Sequence, residues 1–273
     1  MRRVTAQSYK FERSGRWLRV KLGVVQMRMG WTVRENLKTI VSHVESMRAL
    51  DALVFPELSL SGFHRNIKQE SEPQTIRHAI QVLCKLAFDY KIMLFIGAPL
   101  TEGERIFNSY LCIDANGGIA MQWNKVGLTE SEAKFFNRGK GRELLNLAQS
   151  SITSVICREI DDVEWFLSKV QNQADLILWP SYIGQHSLEQ QTQGYYERAS
   201  LIAKESGAFV VQCNWPHSLN NPNLRGLGGS QIYDDSGQCI YTMPVDKESV
   251  CILDLNQGTV EPLKAGLKSL SES

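Results

Sequence analysis

Ser151–Glu164 reads SITSVICREIDDVE. Ser154-Val155-Ile156 has the pattern of the end of a short buried strand, Cys157 follows at once, and the chain then turns polar and acidic through Arg158, Glu159, Asp161 and Asp162. A thiol at the end of a core strand, where the chain turns toward a helix, is where α/β proteins mount reactive groups. Free cysteine is also among the most buried residue types, so inert packing is the competing reading of Cys157 taken alone.

Working outward, strands and helices alternate. Leu18–Met27 (LRVKLGVVQM) is a β-branched run and reads as the first strand. Thr32 with Glu35 forms a capping box, and Val33, Leu37, Ile40, Val41, Val44 and Met47 recur at helical spacing, so 33–50 is predicted helical. Ala52–Phe55 is a continuously apolar strand, as strands covered on both faces are, ending at Pro56-Glu57. Pro73 opens a helix to Tyr90, Ile92–Ile96 returns as a strand, and Arg105–Ile113 and Ile119–Trp123 flank DANGG, a hairpin signal.

Residues 139–150 read as irregular. After the Cys157 strand come a short helix over Val163–Gln171, a strand over Leu176–Trp179 stopped by Pro180, a helix over His186–Ser206 and a strand over Ala208–Cys213. Ser230–Tyr233 and Cys239–Thr242 flank Asp-Asp-Ser-Gly as a second hairpin, and Ser249–Leu253 closes the sheet. Residues 1–16 read as an extension outside the core, 17–258 as one domain built from two similar halves, and 259–273 as a weakly structured tail. The class is α/β: two mixed sheets sandwiched between helices.

Composition narrows the function. The 273 residues are 43% hydrophobic and 22% charged, with a formal net charge of +1, which is the balance of a globular protein. Nucleic-acid binders carry a basic face and high pI, so that class is disfavoured. No apolar run approaches the ~20 residues that span a bilayer, and the basic N-terminus lacks the apolar middle of a signal peptide. The chain therefore reads as cytoplasmic. Cysteines at 84, 112, 157, 213, 239 and 251 form no CxxC, and no His stands at metal-ligand spacing from them, so neither a disulfide framework nor a metal site is expected.

Three polar residues follow core strands: Glu57 after LVFP, Lys125 after AMQWN, and Cys157 after SVI. A thiol needs a base to become a thiolate near neutrality, its free pKa being about 8.5. A carboxylate accepts that proton and later returns it to a leaving amine. An ammonium steadies the thiolate and then an oxyanion, alongside the backbone N–H of Arg158. A turn cap for Glu57 and a solvated lysine for Lys125 are the plainer readings, and spacing alone does not choose between them.

The surrounding blocks resemble a known family. LVFPELSLSGF (53–63) resembles the FPE-x-x-x-x-G-[YF] signature of the nitrilase superfamily of carbon–nitrogen hydrolases, and NKVGLTESEAKFFNRG (124–139) is similar to its lysine segment, aligning Lys125, Leu128, Glu132, Phe135, Phe136 and Gly139. SVICREIDDVE aligns with its cysteine segment, and ADLILWPSYI, ERASLIAKESGAFVVQCN and GLGGSQIYDDSG resemble its remaining blocks in order. The likeness spans about residues 18–256. It implies a four-layer αββα sandwich with pseudo-symmetric halves that pairs into a homodimer or larger homo-oligomer. It also implies hydrolysis of a non-peptide C–N bond of a small linear amide or N-carbamoyl compound through a cysteine thioester, without metal or organic cofactor. The implied roles are nucleophile for Cys157, base and acid for Glu57, oxyanion stabiliser for Lys125, and an orienting role for Glu132.

The chain departs from the family where Tyr-Asp becomes Arg158-Glu159 and Arg-Phe-Pro becomes Asp161-Asp162-Val163. The usual glycine before the Ile-Cys strand is also missing. Arg158 is expected to supply its N–H, with its guanidinium at the pocket rim. His64, Arg65, Tyr182, Trp215 and His217 are the candidate pocket residues. Nitrile hydrolysis by the same triad, a catalytically silent binding or assembly module, and a thiol redox sensor are the alternatives.

Overall fold

The computed structural model describes residues 20–147, 150–170, 173–184 and 189–263, and for 189–193 the backbone alone. The expected N-terminal extension and the starts of the first strand and of the helix predicted from His186 lie outside them. The first half supplies β1 (Lys21–Gln26), α1 (Val33–Ser46), β2 (Ala52–Val54), α2 (Pro73–Tyr90), β3 (Met93–Glu102), β4 (Arg105–Ile113) and β5 (Ile119–Asn124). The second supplies β6 (Leu145–Asn146), β7 (Ser151–Ser154), α3 (Val163–Val170), β8 (Leu176–Ser181), α4 (Glu189–Ser206), β9 (Phe209–Asn214), β10 (Gln231–Tyr233) and β11 (Cys239–Thr242). The chain then returns as β12 (Ser249–Asp254) and β13 (Thr259–Pro262).

One sheet runs β13-β12-β1-β2-β3-β4-β5 and the other β11-β10-β9-β8-β7-β6. In each, three parallel strands joined by helices carry an antiparallel hairpin on one side; the other side carries the antiparallel pair β12–β13 in the first sheet and the single antiparallel strand β6 in the second. The repeat extends to single bonds. Asp51 accepts the Lys21 N–H at 2.7 Å before β2, and Asp175 accepts the Ser151 N–H at 2.8 Å before β8.

Alternation along the strands divides the core into layers. Val24, Val54 and Phe95 point between the sheets onto Ile152, Leu176 and Val211, whereas Val25, Leu53 and Leu94 meet Ile40, Val44, Ile76 and Leu83 of α1 and α2. At the centre, Cys213 Sγ of β9 lies 3.2 Å from the Val25 carbonyl oxygen of the facing sheet. Helix α1 starts where predicted, with Glu35 N–H donating to Thr32 Oγ1 at 3.2 Å and Thr32 N–H to Glu35 Oε2 at 3.1 Å.

Three expectations are corrected. Pro180 does not end β8; the strand continues to Ser181. The Pro180 nitrogen faces the side that β7 has already left at Ser154, so no ladder bond is lost there. Residues 139–150 hold the short strand β6, paired with β7. The presumed tail begins with β13, which extends the first sheet through β12.

Candidate active site

Glu57, Lys125 and Cys157 each stand just past a strand, and their local structure explains where they point. After β2 the chain runs Phe55-Pro56-Glu57, and the turn is laced to β3 at Gly97. Leu60 N–H donates to the Gly97 carbonyl at 2.9 Å, and Gly97 N–H donates to Ser59 Oγ at 2.9 Å. The approach is so close that a Cβ on Gly97 would sit 2.1 Å from the Leu58 nitrogen. Leu58 itself takes a left-handed φ of 51°. We expect Gly97→Ala to push this turn away, lowering kcat by about 10²-fold, since a 1 Å misplacement of reacting groups costs that much. A stopped assay on folded variant, checked by circular dichroism, reads it.

Lys125 extends the β4–β5 hairpin. Its N–H donates to the Asn108 carbonyl at 2.8 Å, and Gly139 N–H returns to the Lys125 carbonyl at 2.8 Å. Its ammonium is buried and shared by two carboxylates, with Nζ 2.7 Å from Glu57 Oε1 and 2.6 Å from Glu132 Oε1. Asn108 Nδ2 donates to the same two oxygens, at 2.8 and 3.3 Å. Glu132 Oε2 accepts the Thr129 N–H at 2.9 Å. Glu57 Oε2 has no partner among the described residues.

Cys157 opens a 3₁₀ turn, Cys157–Asp161, in the left-handed region at φ 51°. The conformation is costly for a residue with a Cβ, and such strain is held only where surrounding structure fixes it. The fixing bonds come from both sides. Val155 N–H donates to the Leu178 carbonyl at 2.8 Å, and the Trp179 indole N–H donates to the Cys157 carbonyl at 3.1 Å. Sγ lies 4.0 Å from the Tyr182 carbonyl oxygen. The Arg158 N–H, at the start of the turn, donates to no acceptor among the described residues.

Burial sets the electrostatics. It raises the Glu57 carboxyl above its usual range, and the negative charge of Glu132 adds to this against the pull of Lys125. Burial also acts upward on Glu132, but the charge and hydrogen bond of Lys125 and the bonds from Thr129 outweigh it, leaving a carboxyl below its usual range. The Lys125 ammonium resists burial because Cys157, Glu57 and Glu132 all favour its charge. The Cys157 thiol is pushed well up by burial and by Glu57, so it rests protonated. Two carboxylates on one ammonium are thus driven apart, one fit to carry a proton and one held as an anion.

A cavity of about 190 Å³ opens beside Glu132, walled by Leu58, Phe63, Ile67, Phe135 and Phe136 with His64, Arg65 and Asn220 at its edge. His64 is buried against Trp31, with ring centroids 5.1 Å apart, and Tyr182 stacks on Phe63 at 5.1 Å. Trp215 has a different place from the pocket contact expected of it. It is wholly buried, and its indole N–H donates to the Glu57 carbonyl at 2.8 Å, so it props the glutamate's turn from behind. His217 faces the Met29 carbonyl at 3.3 Å. The Arg158 guanidinium turns outward to Asp161 Oδ2 at 2.7 Å and over the Tyr195 ring. Asn108 was not anticipated; its signal was a polar residue inside the apolar run RIFNSYLCI, where a buried amide must find partners.

A profile of the carbon-nitrogen hydrolase family matches residues 21–265. The chain belongs to that family. It is a hydrolase of carbon–nitrogen bonds other than peptide bonds. Among curated relatives, a probable nitrilase of Schizosaccharomyces pombe is 23% identical over 246 residues, covering 85% of this chain and 86% of the relative. An (R)-stereoselective amidase of a Pseudomonas species is 25% identical over 245 residues, covering 87% and 86%. The fold of this carbon-nitrogen hydrolase is also that of an amidase from a Nesterenkonia species, with TM-score 0.73, 20% identity and 90% of each chain covered. A glutamate variant of that amidase, at TM-score 0.74 and 19% identity, carries the acetamide moiety of fluoroacetamide covalently at its active-site cysteine. No helix among the described residues is long and apolar enough to cross a membrane.

Proposed function

We propose that this hydrolase cleaves small linear amides or N-carbamoyl compounds through a thioester on Cys157, with Glu57 as proton carrier and Lys125 as oxyanion stabiliser. The observation that carries the reading is the buried Lys125 ammonium shared between Glu57 and Glu132, at the strand ends where Cys157 also stands. A buried ion pair is often no more stabilising than apolar side chains of similar volume, so the fold alone does not account for this cluster.

The thiol passes its proton to Glu57, whose raised pKa and unpartnered Oε2 suit it to receive one. The thiolate attacks the amide carbon, and the carbonyl oxygen becomes an oxyanion held by the Lys125 ammonium and the Arg158 N–H. Collapse breaks the C–N bond, and Glu57 hands its proton to the departing ammonia or amine. Glu57 then takes a proton from water as it attacks the thioester, the acid leaves and the thiol re-forms. Glu132, held as an anion, keeps Lys125 charged throughout.

The test is an ammonia-release screen over short carboxamides, N-carbamoyl compounds and nitriles, paired with mass analysis after treatment with a small haloacetamide. A Cys239→Ser background removes the exposed thiol that would take label at random. Ammonia from the amide or carbamoyl set and one adduct at Cys157 are expected. Turnover of nitriles alone overturns the substrate class; no ammonia and no adduct overturn the mechanism.

A further inference from the structure

Glu159 occupies a position that the triad chemistry leaves without a task. Its side chain is 1% exposed, and both carboxylate oxygens are engaged. Oε1 accepts the N–H of Val126 at 2.5 Å and of Gly127 at 3.4 Å, the two residues directly after Lys125. Oε2 accepts the Ile156 N–H at 2.7 Å, the residue directly before Cys157. One carboxylate thus joins two segments that lie far apart in the sequence. The contact is close elsewhere too, since a Cβ on Gly127 would lie 3.2 Å from Glu159 Cγ.

Arg142 completes the arrangement. Its side chain is wholly buried, and its Nη2 forms an ion pair with Glu159 Oε1. Its Nε and Nη1 have no partner among the described residues. An apolar side chain would serve packing at lower cost than a guanidinium with unmatched donors. What only the arginine supplies is a cation paired with the Glu159 carboxylate, whose two oxygens both act as acceptors.

We propose that Glu159, held in place by its ion pair with Arg142, is a positioning residue that fixes the Lys125 segment against the Cys157 turn. It acts through backbone N–H groups and touches neither substrate nor the reacting atoms. The left-handed backbone at Cys157 makes the device necessary, because a strained turn relaxes when its anchors go. A neutral amide at 159 cannot replace it: whichever way it is turned, its NH₂ meets the N–H groups of Val126 and Gly127 or that of Ile156. The inference rests on the triad reading above, and the experiment separates the two.

The variants are Glu159→Gln, Arg142→Met, Arg142→Lys and the double Arg142→Met/Glu159→Gln, each measured for kcat, KM, melting temperature and the rate of Cys157 alkylation by iodoacetamide in the Cys239→Ser background. Each of the first two is expected to lower kcat by about 10- to 100-fold with KM within about twofold, the signature of geometry lost between reacting groups. The alkylation rate should change alongside. The double variant should lose little more than the worse single, because one chain of contacts is cut twice. Arg142→Met carries the test should Glu159→Gln not fold. Arg142→Lys, which keeps the cation beside Glu159, should recover most of the kcat that Arg142→Met loses, at a similar melting temperature. Wild-type kcat and alkylation rate in folded Glu159→Gln or Arg142→Met, or a loss in Arg142→Lys as large as in Arg142→Met, overturn the proposal. The alkylation arm needs no substrate, so it decides the clamp even if the amide screen fails.

Discussion

Replacing Cys157 by alanine lowers amide turnover by about 10⁴-fold or more, because removal of a nucleophile leaves only binding and oxyanion stabilisation to act on the substrate. The protein still folds. Alanine meets the same backbone strain at φ 51°, and the bonds that fix the turn run through the backbone and through Trp179. The melting temperature should therefore move by only a few degrees, or about 1 kcal/mol. Cys213→Ala gives the opposite pattern. That thiol is enclosed between the sheets beside the Val25 carbonyl, so its loss costs stability while turnover persists. Ammonia release and thermal melts on the two variants read the contrast. Residual wild-type turnover in Cys157→Ala would exclude the proposed thioester.

How far the sequence discloses this site depends on the kind of signal. Elements with their own local chemistry were legible: the capping box fixed the start of α1, and DANGG placed the β4–β5 hairpin that presents Lys125. Glu57, Lys125 and Cys157 stood out as candidates because each follows a core strand, a pattern visible one strand at a time. Choosing them over a turn cap, a solvated lysine and a packing thiol took the family likeness. The two-sheet sandwich followed from the alternation of strands and helices, whereas Glu132 needed the family likeness. Asn108, Arg142 and the task of Glu159 were not legible. Each acts on a segment distant in sequence, and nothing in a single sequence says which buried polar groups will meet.

The departures after Cys157 divide in the same way. Arg158 and Asp161 pair with each other outside the turn, with Asp161 also 3.4 Å from Arg198, and the family's acidic position is served by Glu159 facing inward. Substitutions that look like one block in the sequence thus lie on two sides of the turn. Among the described residues of this block, the inward one is the one that hydrogen-bonds the segment carrying Lys125.

Lys125→Met produces the largest combined loss. It removes the oxyanion stabiliser, for which loss of a single such donor costs about 10²–10³-fold in kcat, and it leaves Glu57 and Glu132 buried with no cation between them. Breaking a buried pair in this way destabilises by about 3–5 kcal/mol, which in a chain of this size lowers the melting temperature by roughly 10 °C. The sign of the pH dependence follows. Without the ammonium, burial and mutual repulsion hold the carboxyls above their unfolded-state pKa of about 4.3. The folded state then binds more protons than the unfolded state, so the variant's stability falls as pH rises above that value. The deficit relative to wild type should therefore be smallest near pH 4 and widen toward neutrality. Adding Glu132→Gln removes one of the two stranded charges and should recover part of the stability without recovering turnover. Urea melts of the three proteins from pH 4 to pH 8 provide the measurement. A deficit that stays constant across that range would mean the ammonium is not what holds the two carboxylates together.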